Sequence, residues 1–432
     1  MKGVYRFGQP NLEKMVRRVK FLSLILTMVS VTLCILLIGC IRKRRAFPSS
    51  ILYSVTRDQV FQGKSIEDFF AAVTEDRFKS FYNAENLLVE VRAFRSVLSR
   101  DRHLTYDASI YIATVCLKRR YYPALLWEVF KAIRHCNFEL VPNIRDVKMI
   151  LIDLPVYKVF ERKTNVCIDM ITTNSSLARL PSAFMVPLRG KRIMLWYSTN
   201  SKPFKYKGKE VKLQWNPTYV RNSVDLHLVW TKFDVDFLES LGITNAHAIG
   251  SILMQPRLMA ERDNQKFIIT YFDVTPVTPS MEWKFGGPAN FYSQKNALKD
   301  LNQFAEVSSH LTGLFGTKVE FRIKPKRAYG ATHSKKYQAN VVQLSKDIGI
   351  KILNPYANLY SIVSQSDTVI ATPWTSPAVL AKELRTDAIY FGNRGQEWNL
   401  PSKHEDIEVM GSTRELTEYL LRRIKIKFAN QE

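Results

Sequence analysis

The chain has 432 residues, of which 46% are hydrophobic and 24% are charged, and its formal net charge is +24. This composition excludes a largely disordered chain, and the length allows two domains with cores of ordinary size. The positive charge favours anionic partners such as phospholipid head groups, nucleotide diphosphates or nucleic acid. Outside an apolar run near the start, the scattered Cys116, Cys136 and Cys167 form neither a disulfide framework nor a Cys-x-x-Cys zinc site.

The first predicted element is a transmembrane helix at residues 21–41, which contain no charged side chain. Such a helix is about 31 Å long, enough to cross the hydrocarbon core of a bilayer. Basic residues flank it on both sides, so the positive-inside rule gives no orientation. A cleaved signal peptide is the alternative, but the run is long and four basic residues follow it at once. We therefore predict that residues 1–45 are a basic N-terminus and single-pass anchor.

Residues 46–75 carry no long periodic pattern and are predicted to be a linker. From about residue 65 to residue 140, the spacing of apolar residues predicts helices. Strand-like segments follow at 147–152, 192–196, 225–230 and 246–250. Beyond residue 260, strands are predicted at 266–274, 319–324, 350–353, 367–372 and 388–391, and helices at 290–314, 357–365, 377–385 and about 412–425. Ser412 and Glu415 are predicted to form a capping box at the start of the last helix. The helix at 290–314 is predicted to be amphipathic, with one apolar face made of Leu298, Leu301, Phe304, Val307 and Leu311. Regular alternation of this kind predicts parallel, doubly wound sheets. The predicted fold is α/β, with domains at 76–258 and 259–432.

A loop of small hydroxyl residues joins the predicted strand 367–372 to the next helix. Ser376 is predicted to be the N-cap of that helix, with Pro377 at its first position. A helix N-terminus directly after a strand offers amide groups and a partial positive charge to a phosphate. Thr372, Thr375 and Ser376 add hydroxyl groups at the same place. An ordinary capped helix is the alternative interpretation.

A second candidate for phosphate binding follows the predicted strand 319–324, where Pro325 ends the strand among Lys324, Lys326 and Arg327. If this strand lies near strand 367–372, these cations and the helix start form one phosphate or pyrophosphate site. A solvated basic turn is the alternative. The sequence contains neither a Gly-x-Gly-x-x-Gly motif nor a P-loop, which disfavours dinucleotide redox chemistry and P-loop phosphoryl transfer.

Five segments form a recognisable set, at residues 194–201, 237–242, 271–276, 323–327 and 372–378, and the last contains Pro373-Trp374-Thr375-Ser376. Together they resemble bacterial surface-polysaccharide biosynthesis proteins that are named for a Pro-Phe-Thr-Ser motif, with Trp here in place of Phe. That family looks like the GT-B class of glycosyltransferases. The resemblance, over residues 80–395, implies two facing α/β domains, a nucleotide sugar on the C-terminal one, and catalysis that needs no metal or cofactor. Many GT-B relatives carry a histidine after the lysine-bearing strand, and this segment has none, so such a role is not transferred.

An inverting transferase needs a general base near the acceptor hydroxyl. Asp225, His227 and Glu90 are the candidates in the N-terminal half. Glu90 has a structural alternative as an ion-pair partner of Arg92, and His227 alternates with leucines on its strand.

Other polar and aromatic residues complete the predicted site. Tyr197, Ser198 and Trp374 are predicted to line a cleft between the domains. The triplet Asp234-Val235-Asp236 could hold a metal, but its place before a helix-like segment favours a capping role.

The resulting hypothesis is a membrane-anchored, metal-independent glycosyltransferase of surface-polysaccharide assembly. Its partners would be a nucleotide-sugar donor, a saccharide or lipid-linked acceptor, and the membrane through residues 21–41, with no nucleic acid. The catalytic body would lie on the cytosolic face, or in the Golgi lumen if the chain is eukaryotic. Two alternatives are a GT-B-like phospho-polyol transferase and a non-catalytic, membrane-tethered binder of nucleic acid or anionic lipid.

Overall fold

The computed structural model describes Ser30, Thr32, Leu33, Leu37 and residues 50–56, 72–73, 75–82, 87–92, 104–105, 112–135, 149–164, 167–173, 189–198, 204–206, 209–211, 224–253, 255–282, 292–392 and 403–429. The rest of the predicted transmembrane helix at 21–41 lies outside these residues. Within the described residues, no helix is both long enough and apolar enough to span a bilayer.

Within the described residues, the strands are β1 (Ser50–Thr56), β2 (Leu87–Arg92), β3 (Leu104–Thr105), β4 (Asp169–Thr173), β5 (Arg192–Leu195), β6 (Phe204–Tyr206), β7 (Lys209–Val211), β8 (Leu226–Val229), β9 (Ala246–Ala248), β10 (Phe267–Phe272), β11 (Val319–Lys324), β12 (Lys351–Ile352), β13 (Thr368–Ala371), β14 (Asp387–Phe391), β15 (Lys403–His404) and β16 (Ile407–Met410). The α-helices are α1 (Asp76–Lys79), α2 (Tyr122–His135), α3 (Leu154–Thr164), α4 (Lys232–Ser240), α5 (Pro279–Glu282), α6 (Gln294–Phe315), α7 (Lys335–Ile348), α8 (Leu359–Gln365), α9 (Ser376–Glu383) and α10 (Thr413–Ala429). Single π-helical turns occupy Ile112–Cys116 and Met149–Asp153, and 3-10 turns occupy Arg119–Tyr121 and Gly316–Lys318.

The first sheet has the strand order β3-β2-β1-β4-β5-β8-β9. Its strand β1 runs parallel to both β2 and β4, and β9 runs parallel to β8. Chain order therefore moves outward from β1 to one side and then from β4 to the other, as in a doubly wound sheet. The separate hairpin β6-β7 is antiparallel.

Three sequence predictions about the first half are wrong. Residues 50–56 lie within the predicted linker but form β1, and residues 87–92 were predicted to be helical but form β2. Residues 147–152 were predicted to be a strand, yet Met149–Asp153 is a π-helical turn that leads into α3. Short apolar runs do not distinguish strand from helix, and here pairing with distant strands decides the outcome.

The second sheet has the strand order β12-β11-β10-β13-β14-β16-β15. All of its strands are parallel except the edge strand β15, which is antiparallel to β16. This confirms the predicted alternation of strands and helices beyond residue 260. The predicted amphipathic face of α6 is also confirmed, because Leu301, Phe304, Val307 and Leu311 are fully buried beside β10 and β11. Phe304 stacks on Tyr271 with ring centroids 4.9 Å apart.

The described residues fall into two compact units. One lies within Met1–Arg57, Asp76–Met194 and Ser223–Leu226, and the other within Asp58–Glu75, Leu195–Asn222 and His227–Glu432. The domain limits at 76–258 and 259–432 stay a prediction.

Candidate functional site

The carboxyl edge of the second sheet brings together three loops. In the parallel register, Phe272 of β10 lies opposite Lys324 of β11 on one side and Ala371 of β13 on the other. The loops that begin at Asp273, Pro325 and Thr372 therefore leave the sheet at the same edge. The chain moves outward from β10 through β11 to β12, and then continues from β13 on the other side. In open α/β sheets, ligands bind at the edge where strand order reverses in this way.

The loop from β13 to α9 contains Pro373-Trp374-Thr375-Ser376. Thr375 is the N-cap of α9 and Ser376 is its first helical residue, so the prediction that Ser376 is the N-cap is wrong by one position. The Thr375 side chain does not cap the helix, since its hydroxyl donates to the carbonyl oxygen of Thr372 at 2.7 Å. The start of α9 therefore lacks the side-chain cap that its sequence predicted.

Trp374 adopts a left-handed backbone conformation with φ of 63°. This conformation is uncommon for a bulky residue and stores strain. The ring is 5% exposed and packs edge-on against Tyr390, with centroids 5.3 Å apart. The Tyr292 hydroxyl donates to the carbonyl oxygen of Pro373 at 3.1 Å. Packing and this hydrogen bond hold the strained loop in place.

Thr372 is 1% exposed, and its hydroxyl has no hydrogen-bond partner in the part of the chain that the structure describes. A buried hydroxyl without a partner costs about 1–3 kcal/mol. This hydroxyl lies at the end of β13, at the edge where a ligand is expected. A bound phosphate oxygen would supply the missing acceptor.

Asp273 anchors the neighbouring loop, although it is not among the site residues predicted from the sequence. Its Oδ1 accepts hydrogen bonds from Thr275 N at 3.0 Å and Thr275 Oγ1 at 2.9 Å, and from Lys326 N at 2.7 Å. Thr275 Oγ1 accepts from Arg327 N at 3.1 Å, and Thr275 itself has a strained φ of 46°. The Asp273–Thr275 pair thus fixes the backbone that carries Lys326 and Arg327. The sequence feature that points to Asp273 is its position directly after the buried strand β10, at the carboxyl edge of the sheet.

A buried polar cluster surrounds the other oxygen of Asp273. Asp273 Oδ2 faces the hydroxyls of Tyr329 and Tyr337, and within the described residues none of these three atoms makes a hydrogen bond of ordinary geometry. Burial raises the pKa of the Asp273 carboxyl, and burial together with this carboxyl raises the pKa of both tyrosines. The edge therefore concentrates buried polar groups around one carboxylate.

Lys324 does not project from this edge as its sequence position suggested. Its side chain is 3% exposed, and Nζ donates to the carbonyl oxygens of Pro325 at 2.9 Å and Pro355 at 2.7 Å. Burial lowers the pKa of Lys324 to about 8, although the nearby Asp273 opposes this shift. These contacts fasten two loops to each other and favour a structural role.

Lys326 and Arg327 are exposed in the loop after β11, as expected for cations that meet a ligand. The same loop contains His333, whose Nδ1 accepts a hydrogen bond from Gly330 N at 2.8 Å. Neutral His333 therefore carries its proton on Nε2. Burial and the Arg327 guanidinium lower the pKa of His333. The loop that carries Lys326 and Arg327 therefore also holds a histidine, and this residue was not among those predicted from the sequence.

Residues 150–420 match the family described as polysaccharide biosynthesis PFTS motif protein. The chain belongs to this family. No curated protein sequence matches the chain.

Three solved structures illustrate what the chain is similar to. A trehalose-phosphate synthase (UDP-forming) from Burkholderia vietnamiensis is 12% identical with a TM-score of 0.43, over 88% of this chain and 91% of that one. Anabaena HepE in complex with UDP and glucose is 9% identical with a TM-score of 0.41, over 88% of this chain and 90% of that one. TarM of S. aureus is 11% identical with a TM-score of 0.38, over 64% and 52%. The match with TarM thus spans about half the length of that chain.

The predicted base Asp225 is held in a bidentate ion pair. Arg192 Nε lies 2.9 Å from its Oδ2 and Arg192 Nη2 lies 2.6 Å from its Oδ1. The Arg192 side chain lowers the pKa of Asp225, which makes this carboxylate a weaker proton acceptor. Glu90 lies on β2, and its side chain is outside the described residues.

The predicted base His227 is buried within the first sheet, at 1% exposure. Its Nδ1 accepts from Trp196 Nε1 at 3.4 Å, and its Nε2 has no partner in the described part of the chain. Burial lowers the pKa of His227 to about 4. The imidazole is therefore neutral at physiological pH and lies away from solvent. The catalytic roles of Asp225, His227 and Glu90 stay predictions.

The predicted cleft residues are placed differently from one another. Ser198 Oγ lies 3.3 Å from Ser376 Oγ, the first residue of α9, and both belong to the second compact unit. Tyr197 is half-buried in the turn after β5, whereas Trp374 is buried. Their role in a cleft stays a prediction.

The capping role of Asp234 is confirmed. Thr231 is the N-cap of α4, and its hydroxyl accepts from Asp234 N, while the Asp234 carboxylate accepts from Thr231 N at 3.0 Å. This reciprocal pair is a capping box, which accounts for the acid at this position.

Proposed function

We propose that the chain transfers a sugar from a nucleotide-sugar donor during polysaccharide synthesis, and that the donor phosphates bind at the carboxyl edge of the second sheet. The observation that carries this proposal is the strained Trp374 loop at the start of α9, beside the buried and unpartnered Thr372 hydroxyl. Membership of the polysaccharide biosynthesis family supports the substrate class.

The proposed chemistry is stabilisation of a leaving nucleotide phosphate without a metal ion. Amide groups at the start of α9 and the exposed cations of the β11 loop would meet the negative charge as it develops. Arg327 would clamp the phosphate through two parallel hydrogen bonds, and Lys326 would act as a point charge. Asp273 would act indirectly, because it holds the backbone of both cations.

The direct test is nucleoside diphosphate binding, measured by calorimetry on the full chain with each common base. Arg327→Ala should weaken the tightest binder by about 1.5–3 kcal/mol, because a charge-assisted hydrogen bond is lost. The control is Arg422→Ala, which removes an exposed arginine from α10. Failure of every nucleoside diphosphate to bind the unmodified chain would refute the proposal, as would equal affinities for the two variants.

The choice of hydroxyl variant follows from the structure. Thr375→Val would remove the hydrogen bond to Thr372 as well as any ligand contact, so a loss of affinity would have two causes. Thr372→Val removes a hydroxyl that bonds to no described protein group, and it is the cleaner probe of the phosphate site.

Transfer assays with nucleotide sugars and with nucleotide-linked polyols should follow. Transfer of the sugar is expected. Transfer of a phospho-polyol group alone would assign the same site to the alternative reaction.

We also propose that residues 21–41 anchor the chain in a membrane and that the body faces the cytosol. The length of the apolar run and the reduced state expected of the cysteines support this proposal. Cys116 is buried whereas Cys167 is exposed, so Cys167 is the better reporter of topology. A membrane-impermeant maleimide should label Cys167 only after the cells are opened. Labelling on intact cells would place the body outside, and complete extraction by alkaline carbonate would contradict the anchor.

A further inference from the structure

Helix α2 exposes three large apolar side chains on one face. Leu126, Trp127 and Phe130 are 42%, 56% and 53% exposed, and the two aromatic rings lie 5.8 Å apart. The opposite face is the packed one, with Leu125 and Val129 buried. The three exposed residues are neighbours on the helix surface, and soluble proteins rarely leave a contiguous apolar patch of this kind uncovered.

Cations border this patch. Lys118, Arg119 and Arg120 are exposed just before α2, and Arg134 is exposed near its end. Lys131 lies on the same side, with its ammonium 5.4 Å from the centre of the Trp127 ring. We define these five cations together with Leu126, Trp127 and Phe130 as the α2 face.

The acid on α2 offsets only part of this charge, because among the five cations it pairs with Lys131 alone. Glu128 is directed toward α3, where its side chain is 13% exposed and binds both Arg162 and Lys131 at 3.3 Å. The outward side of the helix therefore presents positive charge around an aromatic and aliphatic centre.

We propose that the α2 face docks on the surface of an anionic phospholipid bilayer. Amphipathic helices that lie in a membrane interface combine aromatic and aliphatic residues, which enter the boundary of the acyl chains, with lysine and arginine, which meet the head groups. The charge on the α2 face complements an anionic leaflet, and the exposed Leu126 adds an aliphatic contact that favours lipid over nucleic acid. This contact is additional to any anchor at residues 21–41 and does not depend on the transfer reaction.

The test is photo-crosslinking of the full chain in vesicles, without any donor. Phe130→p-benzoylphenylalanine is reconstituted into vesicles of equal parts phosphatidylglycerol and phosphatidylcholine, or of phosphatidylcholine alone. After irradiation, mass spectrometry should detect lipid adducts at position 130, several-fold more abundant with the anionic lipid. The control is Ile426→p-benzoylphenylalanine, because Ile426 is equally exposed, at 53%, on α10. It should form few lipid adducts.

Other outcomes would overturn the proposal. Duplex DNA is added at a phosphate concentration equal to that of the lipid, and a DNA adduct in place of a lipid adduct would assign the α2 face to nucleic acid. A crosslink between two copies of the chain would make the face a self-association surface. Equal lipid adducts at positions 130 and 426 would show that proximity to the vesicle alone produces them.

The charge requirement has its own variants. Lys118→Glu combined with Arg120→Glu should lower the adduct yield several-fold on anionic vesicles and leave it unchanged on neutral ones. The matched control, Lys335→Glu with Lys336→Glu, reverses two exposed cations at the start of α7. It should leave the yield unchanged. A yield that is insensitive to the first pair, with the fold confirmed by circular dichroism, would exclude recognition of anionic lipid.

Discussion

The two sheets differ in how their buried polar side chains are paired. In the first sheet, Asp225 is paired with Arg192, and His227 is buried beside Trp196. Two groups of this sheet, the Thr172 hydroxyl on β4 and His227 Nε2, have no hydrogen-bond partner among the described residues. The carboxyl edge of the second sheet has the unpartnered Thr372 hydroxyl and the buried cluster of Asp273, Tyr329 and Tyr337, and two residues with strained backbone, Thr275 and Trp374, accompany them.

This difference indicates where ligand binding is expected. One buried group without a partner is a modest cost that many folds tolerate. A set of such groups in loops held under strain costs more, and such strain is concentrated at functional sites. The predicted catalytic bases lie in or beside the first sheet. The strained backbone and the buried polar groups typical of a binding site lie at the carboxyl edge of the second sheet.

The largest effect should come from Asp273, which supports the strained edge of the second sheet. Asp273→Ala leaves the three donors from Thr275 and Lys326 without an acceptor, and we expect unfolding free energy to fall by about 3–5 kcal/mol. Asp273→Asn keeps an acceptor oxygen and should cost less. Urea denaturation followed by circular dichroism measures both. Equal losses for the two variants would show that the hydrogen bonds do not hold this edge.

The next effect concerns pH and His227 in the first sheet. Burial lowers its pKa from 6.5 to about 4, so between these values the unfolded chain binds a proton that the folded chain does not. The contribution of His227 to stability is therefore complete above pH 6.5 and is lost as pH falls towards 4. Between pH 7 and pH 5 the loss should be about 2 kcal/mol.

Denaturation curves of His227→Gln and of the unmodified chain at both pH values measure this loss. The difference between the two chains should shrink at pH 5. His310→Asn, which changes an exposed histidine on α6, is the control and should keep the pH dependence of the unmodified chain. An unaltered pH dependence in His227→Gln would mean that the imidazole is not buried in solution.

A matched pair of threonine variants compares the sheets directly. Thr372→Val and Thr172→Val each remove a buried hydroxyl that has no partner among the described residues, so both should raise unfolding free energy, by about 1 kcal/mol. Thr372→Val alone should weaken binding of a nucleoside diphosphate, roughly fivefold for one lost hydrogen bond. Calorimetric binding and urea denaturation are the measurements. Equal binding by the two variants would remove Thr372 from the site.

The smallest effect is expected at Asp225. Its ion pair with Arg192 joins side chains that are 42% and 30% exposed, so Asp225→Asn should cost less than about 1 kcal/mol of stability. The transfer rate should fall less than tenfold. Loss of a general base would lower the rate by a factor of about 10²–10⁴, and a fall of that size would support Asp225 as the general base.

The sequence predicted the local features of the second half well. The capping box of Ser412 and Glu415 is present at the start of α10, and the buried face of α6 follows its spacing of apolar residues. The β11 strand has the predicted limits, and the motif at Pro373 begins where β13 ends. Each of these features depends on residues within a few positions of one another, which is the range over which periodicity and capping act.

Contacts between distant segments decided the rest. The pairing of β1 with β2 and β4 shows that residues 50–56 are a strand, and the burial of Lys324 with its hydrogen bond to the distant Pro355 carbonyl shows that this side chain is directed inward. The sequence also cannot show that the Thr372 hydroxyl lacks a hydrogen-bond partner, because this depends on the positions of all the segments that pack around it. By itself, the sequence determined the fold class and the position of the motif Pro373–Ser376 after a strand of the second sheet. The tertiary structure decided which of the polar groups there are already engaged, because burial and hydrogen bonding in this protein are set by strands that lie far apart in the chain.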